Sequence, residues 1–98
     1  MKRSDHKIDG VGVELPRAQD IYKGDLRGPN GTRCVLGWAM YLIPDTSQRM
    51  SFYTNLARTV RLQAFSPSRW NDDPATTKQE IADTFERAWC EFFDVEAR

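Results

Sequence analysis

The stretch that decides the fold is Trp70-Asn71-Asp72-Asp73-Pro74-Ala75-Thr76-Thr77-Lys78-Gln79-Glu80, which runs straight into Ile81–Phe93. Asn-Asp-Asp-Pro is turn chemistry: short polar side chains bond to nearby backbone, and proline presets its own φ. Thr77-x-x-Glu80 is the pattern of a helix start, in which a hydroxyl accepts an amide of the first turn and a carboxylate reaches back. Beyond it, Ile81, Ala82, Phe85, Ala88, Trp89, Phe92 and Phe93 share one arc at helical spacing. Glu80, Asp83, Arg87, Glu91 and Asp94 share the other. The two signals agree on a capped C-terminal helix over residues 77–94.

Upstream, Asp45-Thr46-Ser47-Gln48 offers several N-caps, with Asp45-x-x-Gln48 as one capping box. The spacing predicts a helix over 46–65 with Met50, Tyr53, Leu56, Ala57, Val60 and Ala64 facing inward. Phe52 and Leu62 lie off that face and, if exposed, are natural contact residues for a partner. Phe65-Ser66-Pro67-Ser68-Arg69 breaks the helix.

The run Cys34 to Leu42 is apolar almost throughout, so a helix and a buried strand both fit its pattern. Gly37, Ala39, Met40 and Leu42, with Pro44 ending the run, favour a central buried helix. Gly37 costs that helix about 1 kcal/mol against alanine, and close approach of a neighbouring helix is the expected return. Before it, Pro29-Asn30-Gly31 is strong turn chemistry whose flanks either pair as a small hairpin or lead into the helix. Val11, Val13 and Leu15 alternate as a weak strand that Pro16 stops, and Ala18 to Lys23 reads as a short helix. Residues 1–9 are polar and expected to be loosely held. The expected fold is mainly α: a small helical bundle of three main helices with a short N-terminal hairpin or extended segment, one domain over 1–98.

Composition bounds the function. A chain of 98 residues buries roughly 65% of the surface its unfolded form exposes, enough for a modest core. Fourteen basic and fourteen acidic residues cancel, which removes the usual electrostatic case for non-specific nucleic-acid binding. Little net charge opposes self-contact, so homo-oligomer formation stays open. Met1-Lys2-Arg3 is basic, but no apolar stretch follows, so no secretory leader is read. The run from Cys34 to Ile43 is too short to span a bilayer. The two cysteines, Cys34 and Cys90, make no disulfide framework, although spacing alone leaves one bridge open. The expected setting is cytoplasmic, with reduced thiols and no membrane partner.

Few residues carry candidate chemistry. Cys34 opens a predicted helix, where a thiol can become a nucleophile. A cysteine hydrolase or transferase also wants a histidine, and the single one, His6, sits in the polar N-terminal segment. The favoured reading of Cys34 is a small buried apolar residue. Cys90 falls off the apolar arc of its helix and reads as a partly exposed thiol. Two separated cysteines and one histidine give no zinc spacing, so no metal or other cofactor is expected.

Asn71, Asp72 and Asp73 include adjacent carboxylates, which would suit magnesium or acid–base work. Side chains next to one another diverge, however, and local backbone bonds at a helix entrance explain the same residues. Arg58, Arg61 and Arg69 beside Trp70 form a candidate patch for RNA, DNA or phosphate, against the commoner reading of a solvated helix face. Gly28-Pro29-Asn30-Gly31-Thr32 lacks the lysine of a phosphate loop. Trp38, Tyr41, Phe52, Trp70 and Trp89 are read mostly as core.

Two segments together, Arg33-Cys34-Val35-Leu36-Gly37-Trp38-Ala39 and Trp70-Asn71-Asp72-Asp73-Pro74-Ala75-Thr76-Thr77-Lys78-Gln79-Glu80-Ile81, resemble a family of small phage-associated and bacterial proteins of unknown function. Its members pair a Cys-x-x-Gly-Ala segment with a later Trp-Asn-Asp-x-Pro-x-Thr turn that enters a C-terminal helix. The match covers about half of the chain. It departs at Trp38, where a small residue is usual, and in lacking a long N-terminal helix. The resemblance implies a shared fold in which Cys34, Gly37, Trp70, Asn71, Asp72, Pro74, Thr77 and Glu80 are the structural motif. It implies no activity. The setting it implies is mobile elements and phage–host conflict, where small proteins act by binding a host protein or complex, as an anti-CRISPR-like inhibitor does. Phe52, Arg58, Arg61, Leu62, Arg69 and Trp70 are the expected partner-binding residues. The alternatives are a Cys34-based enzyme and a nucleic-acid module on Arg58, Arg61 and Arg69.

Overall fold

The computed structural model describes residues 6–8, 11–60 and 67–94, and these fold as a small, mainly helical bundle. Its helices are α1 (Val35–Leu42), α2 (Thr46–Val60), α3 (Pro67–Asp72) and α4 (Lys78–Phe93). Two three-residue strands, β1 (His6–Ile8) and β2 (Val11–Val13), pair antiparallel ahead of them, with His6 opposite Val13 and Ile8 opposite Val11. The expectation of a loosely held 1–9 falls largely outside the described residues, as do Arg61, Leu62 and the rest of 61–66. Among the described residues, no helix is long and apolar enough to cross a membrane.

The last helix forms where its caps put it. Thr77 keeps an extended backbone, and its Oγ1 accepts the Glu80 amide at 3.0 Å. The Glu80 carboxylate takes the Thr77 hydroxyl in return, at 3.4 Å. At the far end Asp94 turns left-handed, with φ 53°, and donates its N–H to the Cys90 carbonyl. Ile81, Ala82, Phe85, Ala88 and Trp89 are buried, and Phe92 and Phe93 are half-buried against the same core.

The main interface joins α2 to α4; Leu56 is in the core and Tyr53 packs against it, as expected, but the buried face is turned toward Phe52 and away from Met50. Phe52 is fully buried; its ring lies 5.3 Å from Phe85, 5.7 Å from Phe92 and 6.0 Å from Trp89. Leu56 is buried beside it, whereas Met50 is 59% exposed. Two arcs of α2 carry apolar residues. The aromatic ridge of α4 selects the one with Phe52, because an aromatic ring fills that gap and a flexible methionine tip on the other arc does not. Asn55 fixes the pairing by donating to the Ala88 carbonyl at 3.0 Å. Phe52 is therefore a core residue and not a partner contact.

The apolar run from Cys34 is a helix, as its glycine, alanine and methionine content favours. Val35, Gly37 and Ala39 are its buried positions. Gly37 is needed because the Leu26 carbonyl oxygen lies 2.2 Å from where a Cβ would sit. The close neighbour is thus a loop carbonyl, not a second helix. That loop starts at a 3₁₀ turn over Ala18–Asp20 and passes through buried Ile21. It then turns back so that Arg27 bridges Arg33 antiparallel, while Ile21 bridges Arg33 from the other side in parallel. Its tip, Pro29–Gly31, holds Asn30 at φ 58° and Gly31 at φ 77°, the left-handed region that these residue types tolerate.

Pro67–Asp72 is a short helix, where the sequence pattern predicts a break. Proline at a first helical position loses nothing, because that amide is unpaired in any helix and its φ is already helical. The proline read as a breaker thus starts α3, which packs on α1 and α2.

Candidate functional site

Two places concentrate polar or exposed side chains around α1. The first is the end of α3. Asn71 is fully buried. Its Oδ1 accepts the Val35 amide at 2.9 Å, which satisfies one of the unpaired donors at the start of α1. Its Nδ2 donates to the Tyr22 carbonyl at 2.9 Å and to Asp72 Oδ1 at 3.1 Å. Asp72 Oδ1 also accepts the Gly24 amide at 2.7 Å. Asp73 Oδ1 accepts the Ala75 amide at 2.8 Å, a local turn bond. Lys23 Nζ crosses to the Asp73 and Thr76 carbonyls at 2.6 and 2.5 Å. Asp73 thus bonds within its own turn, whereas Asp72 reaches an amide distant in sequence rather than a local one, and the cluster joins the 21–24 segment, α1 and the turn before α4.

Cys34 belongs to this knot. It is the N-cap of α1, 3% exposed, and its Sγ accepts the Gly37 amide at 3.5 Å. A nucleophile needs access to its substrate, and this thiol is covered. Among the described residues no group of three or more histidine, cysteine, aspartate or glutamate side chains is placed to hold a metal ion.

The second place is a groove of about 400 Å³ between the 26–33 loop and α1, lined by Leu26, Arg27, Arg33, Gly37, Met40 and Tyr41. Of the four exposed large hydrophobic residues among those described, three are here: Leu26, Met40 and Tyr41, at 42%, 47% and 60% exposure. Met50 is the fourth. Arg33 runs between them with its guanidinium carbon 4.2 Å from the Tyr41 ring centre and 5.1 Å from that of Trp38. The two rings meet edge to face at 5.9 Å, and Trp38 is pinned by donating its Nε1–H to the Asp20 carbonyl at 2.9 Å. Tyr41 is thus a surface residue, against its reading as core. An eight-residue helix has about two turns and buries one side, so a run that is apolar all round must expose part of itself.

A smaller groove of about 390 Å³ lies on the outer side of α4, between Asp83, Glu86, Arg87, Cys90 and Glu91. Burial pushes the Cys90 thiol pKa up, and the nearby Glu86 and Glu91 carboxylates push the same way. Each factor lowers the thiolate fraction, the form that reacts.

Comparison with family models, with curated proteins and with solved structures finds no match for this chain. The remaining site residues are placed by geometry alone. Arg58 and Arg69 are exposed, on α2 and α3 respectively. Trp70 is half-buried and packs against the core from α3. Pro74 is exposed in the turn, and Thr77 and Glu80 form the cap of α4. The structure gathers Cys34, Gly37, Asn71 and Asp72 around the start of α1. The Arg33–Tyr41 groove was missed because its parts lie in a loop and at the far end of α1, and no spacing rule links them. The one signal was the excess of apolar residues in so short a helix.

Proposed function

We propose that this chain is a non-enzymatic interaction protein that engages a partner protein through the groove between the 26–33 loop and α1. The observation that carries the reading is the clustering of Leu26, Met40 and Tyr41 around a ring-stacked arginine. Tyrosine, methionine and arginine are the residue types enriched at protein interfaces, and exposed apolar groups gathered in one place mark contact sites. The polar cluster at residues 71–73, the other candidate for chemistry, commits Asn71 and one oxygen of each carboxylate to internal bonds. The finer reading, a phage-encoded inhibitor that blocks a host defence complex, rests on the resemblance carried by the Cys34–Gly37 and Trp70–Thr77 segments.

The test is affinity capture from a bacterial host lysate with the wild-type chain and with Tyr41→Ala in parallel. The expected result is a partner retained by the first and lost by the second. Equal recovery on both, or no partner together with turnover of a substrate, overturns the reading. Capture of a defence complex, with restored phage growth on a host that carries it, supports the finer one.

A further inference from the structure

Resting on the interaction reading, we infer that the groove recognises an acidic, extended segment of the partner: a carboxylate set on Arg33 next to an apolar side chain lying along Leu26, Met40 and Tyr41. The inference starts from how Arg33 is held. A free arginine samples many rotamers and loses that freedom when it binds. Here the guanidinium carbon lies over the Tyr41 ring at 4.2 Å and the Trp38 ring at 5.1 Å, and one of its N–H groups is anchored on the Gly31 carbonyl at 3.2 Å. The backbone beneath it is fixed as well, since the Arg33 amide donates to the Asp20 carbonyl at 3.0 Å and its carbonyl accepts the Tyr22 amide at 2.8 Å. The side chain is therefore positioned before any ligand arrives.

Of the five guanidinium N–H donors, one goes to the Gly31 carbonyl, which leaves the others for a ligand. A planar acceptor set against those donors, a carboxylate, makes paired charge-assisted hydrogen bonds. Arg27 lines the same groove and adds a second positive charge. The carboxylate nearest along the chain, Asp25, already accepts the Leu26 amide through Oδ1 at 2.7 Å. Charge complementarity thus calls for an acidic partner, and the three exposed apolar side chains call for a hydrophobic neighbour on it. A nucleic acid would supply phosphates but gains little from Leu26 and Met40, which favours peptide.

The experiment is selection of a randomised twelve-residue peptide library on the wild-type chain, followed by affinity measurement on Arg33→Glu, Arg33→Lys, Arg27→Glu and Tyr41→Ala. Circular dichroism and urea midpoints are recorded for each variant. The expected pool is rich in Asp and Glu beside Leu, Phe or Met. Its binding falls at least tenfold on Arg33→Glu and Tyr41→Ala. It falls severalfold on Arg33→Lys, which keeps the charge but not the planar fork, and on Arg27→Glu. A pool with no acidic bias that still needs Tyr41 overturns this inference and leaves the interaction reading standing. An acidic pool that binds a folded Arg33→Glu or Arg27→Glu variant unchanged overturns it, as does a library that yields no enrichment. Tighter, Arg33-dependent binding of a single-stranded RNA twelve-mer also overturns it, by giving the groove to phosphate. So does a self-association that Tyr41→Ala abolishes and the peptides fail to displace.

Discussion

The Asn71 knot and the Arg33 groove flank the same helix and are opposites in how they use polarity. At the knot, a buried amide and two carboxylates each find backbone partners within the fold, at 2.7–2.9 Å. At the groove, a guanidinium is positioned by two rings and sits among exposed apolar side chains. The denser polar cluster is the structural one. What separates a site from a joint is whether the hydrogen-bonding capacity has already been spent, because a satisfied buried group gains nothing further from a ligand.

Substitutions can break or sharpen that contrast. The largest effect is expected at Asn71→Ala, which strands the Val35 amide and the Tyr22 carbonyl. One buried and one part-buried group without partners should cost about 2–4 kcal/mol in urea unfolding. A loss below about 1 kcal/mol would mean that water replaces the amide and that the knot is less closed than its geometry indicates.

Gly37→Ala comes next and touches both regions. Its methyl group would meet the Leu26 carbonyl at 2.2 Å, so the loop must shift. A cost of about 1–3 kcal/mol is expected, together with weakened binding in the groove, because Leu26 lines it. Full stability with unchanged binding would show that the loop yields freely. Thr77→Ala removes the cap of α4 and should cost about 1 kcal/mol, read as a lower thermal midpoint with binding unchanged. Tyr41→Ala should change stability least, by no more than about 0.5 kcal/mol, since the ring is mostly in solvent. It should nevertheless be the variant that loses the partner. If Tyr41→Ala instead destabilised as much as Asn71→Ala, the groove would be another structural joint and the contrast would collapse.

The legible parts of the fold were those written in local chemistry. Thr77, Glu80 and the arc from Ile81 to Phe93 specify α4 with little help from elsewhere, because a cap and a 3.6-residue repeat act within a few turns. The turn at Pro29-Asn30-Gly31 was legible for the same reason. The face of α2 was not: Met50 and Phe52 are both apolar, and only the ridge of Phe85, Trp89 and Phe92 distinguishes them. Nor was α3, since Pro67 reads as a stop although it can also begin a helix. At the candidate site, Arg33 and Tyr41 were each visible but unconnected. Leu26 is brought to them by a contact with Gly37, whose purpose no local pattern states.

The chain alone determined the mainly helical character, the C-terminal helix with its cap, and the local turn that Asp73 closes on Ala75, because these follow from bonds between near neighbours. Tertiary packing decided which arc of α2 became core, that Asn71 would tie three segments together, and that Tyr41 would stand in solvent over Arg33. Those outcomes depend on which surfaces meet once the helices compete for a core large enough for only some of the apolar side chains, and no spacing along the chain encodes that competition.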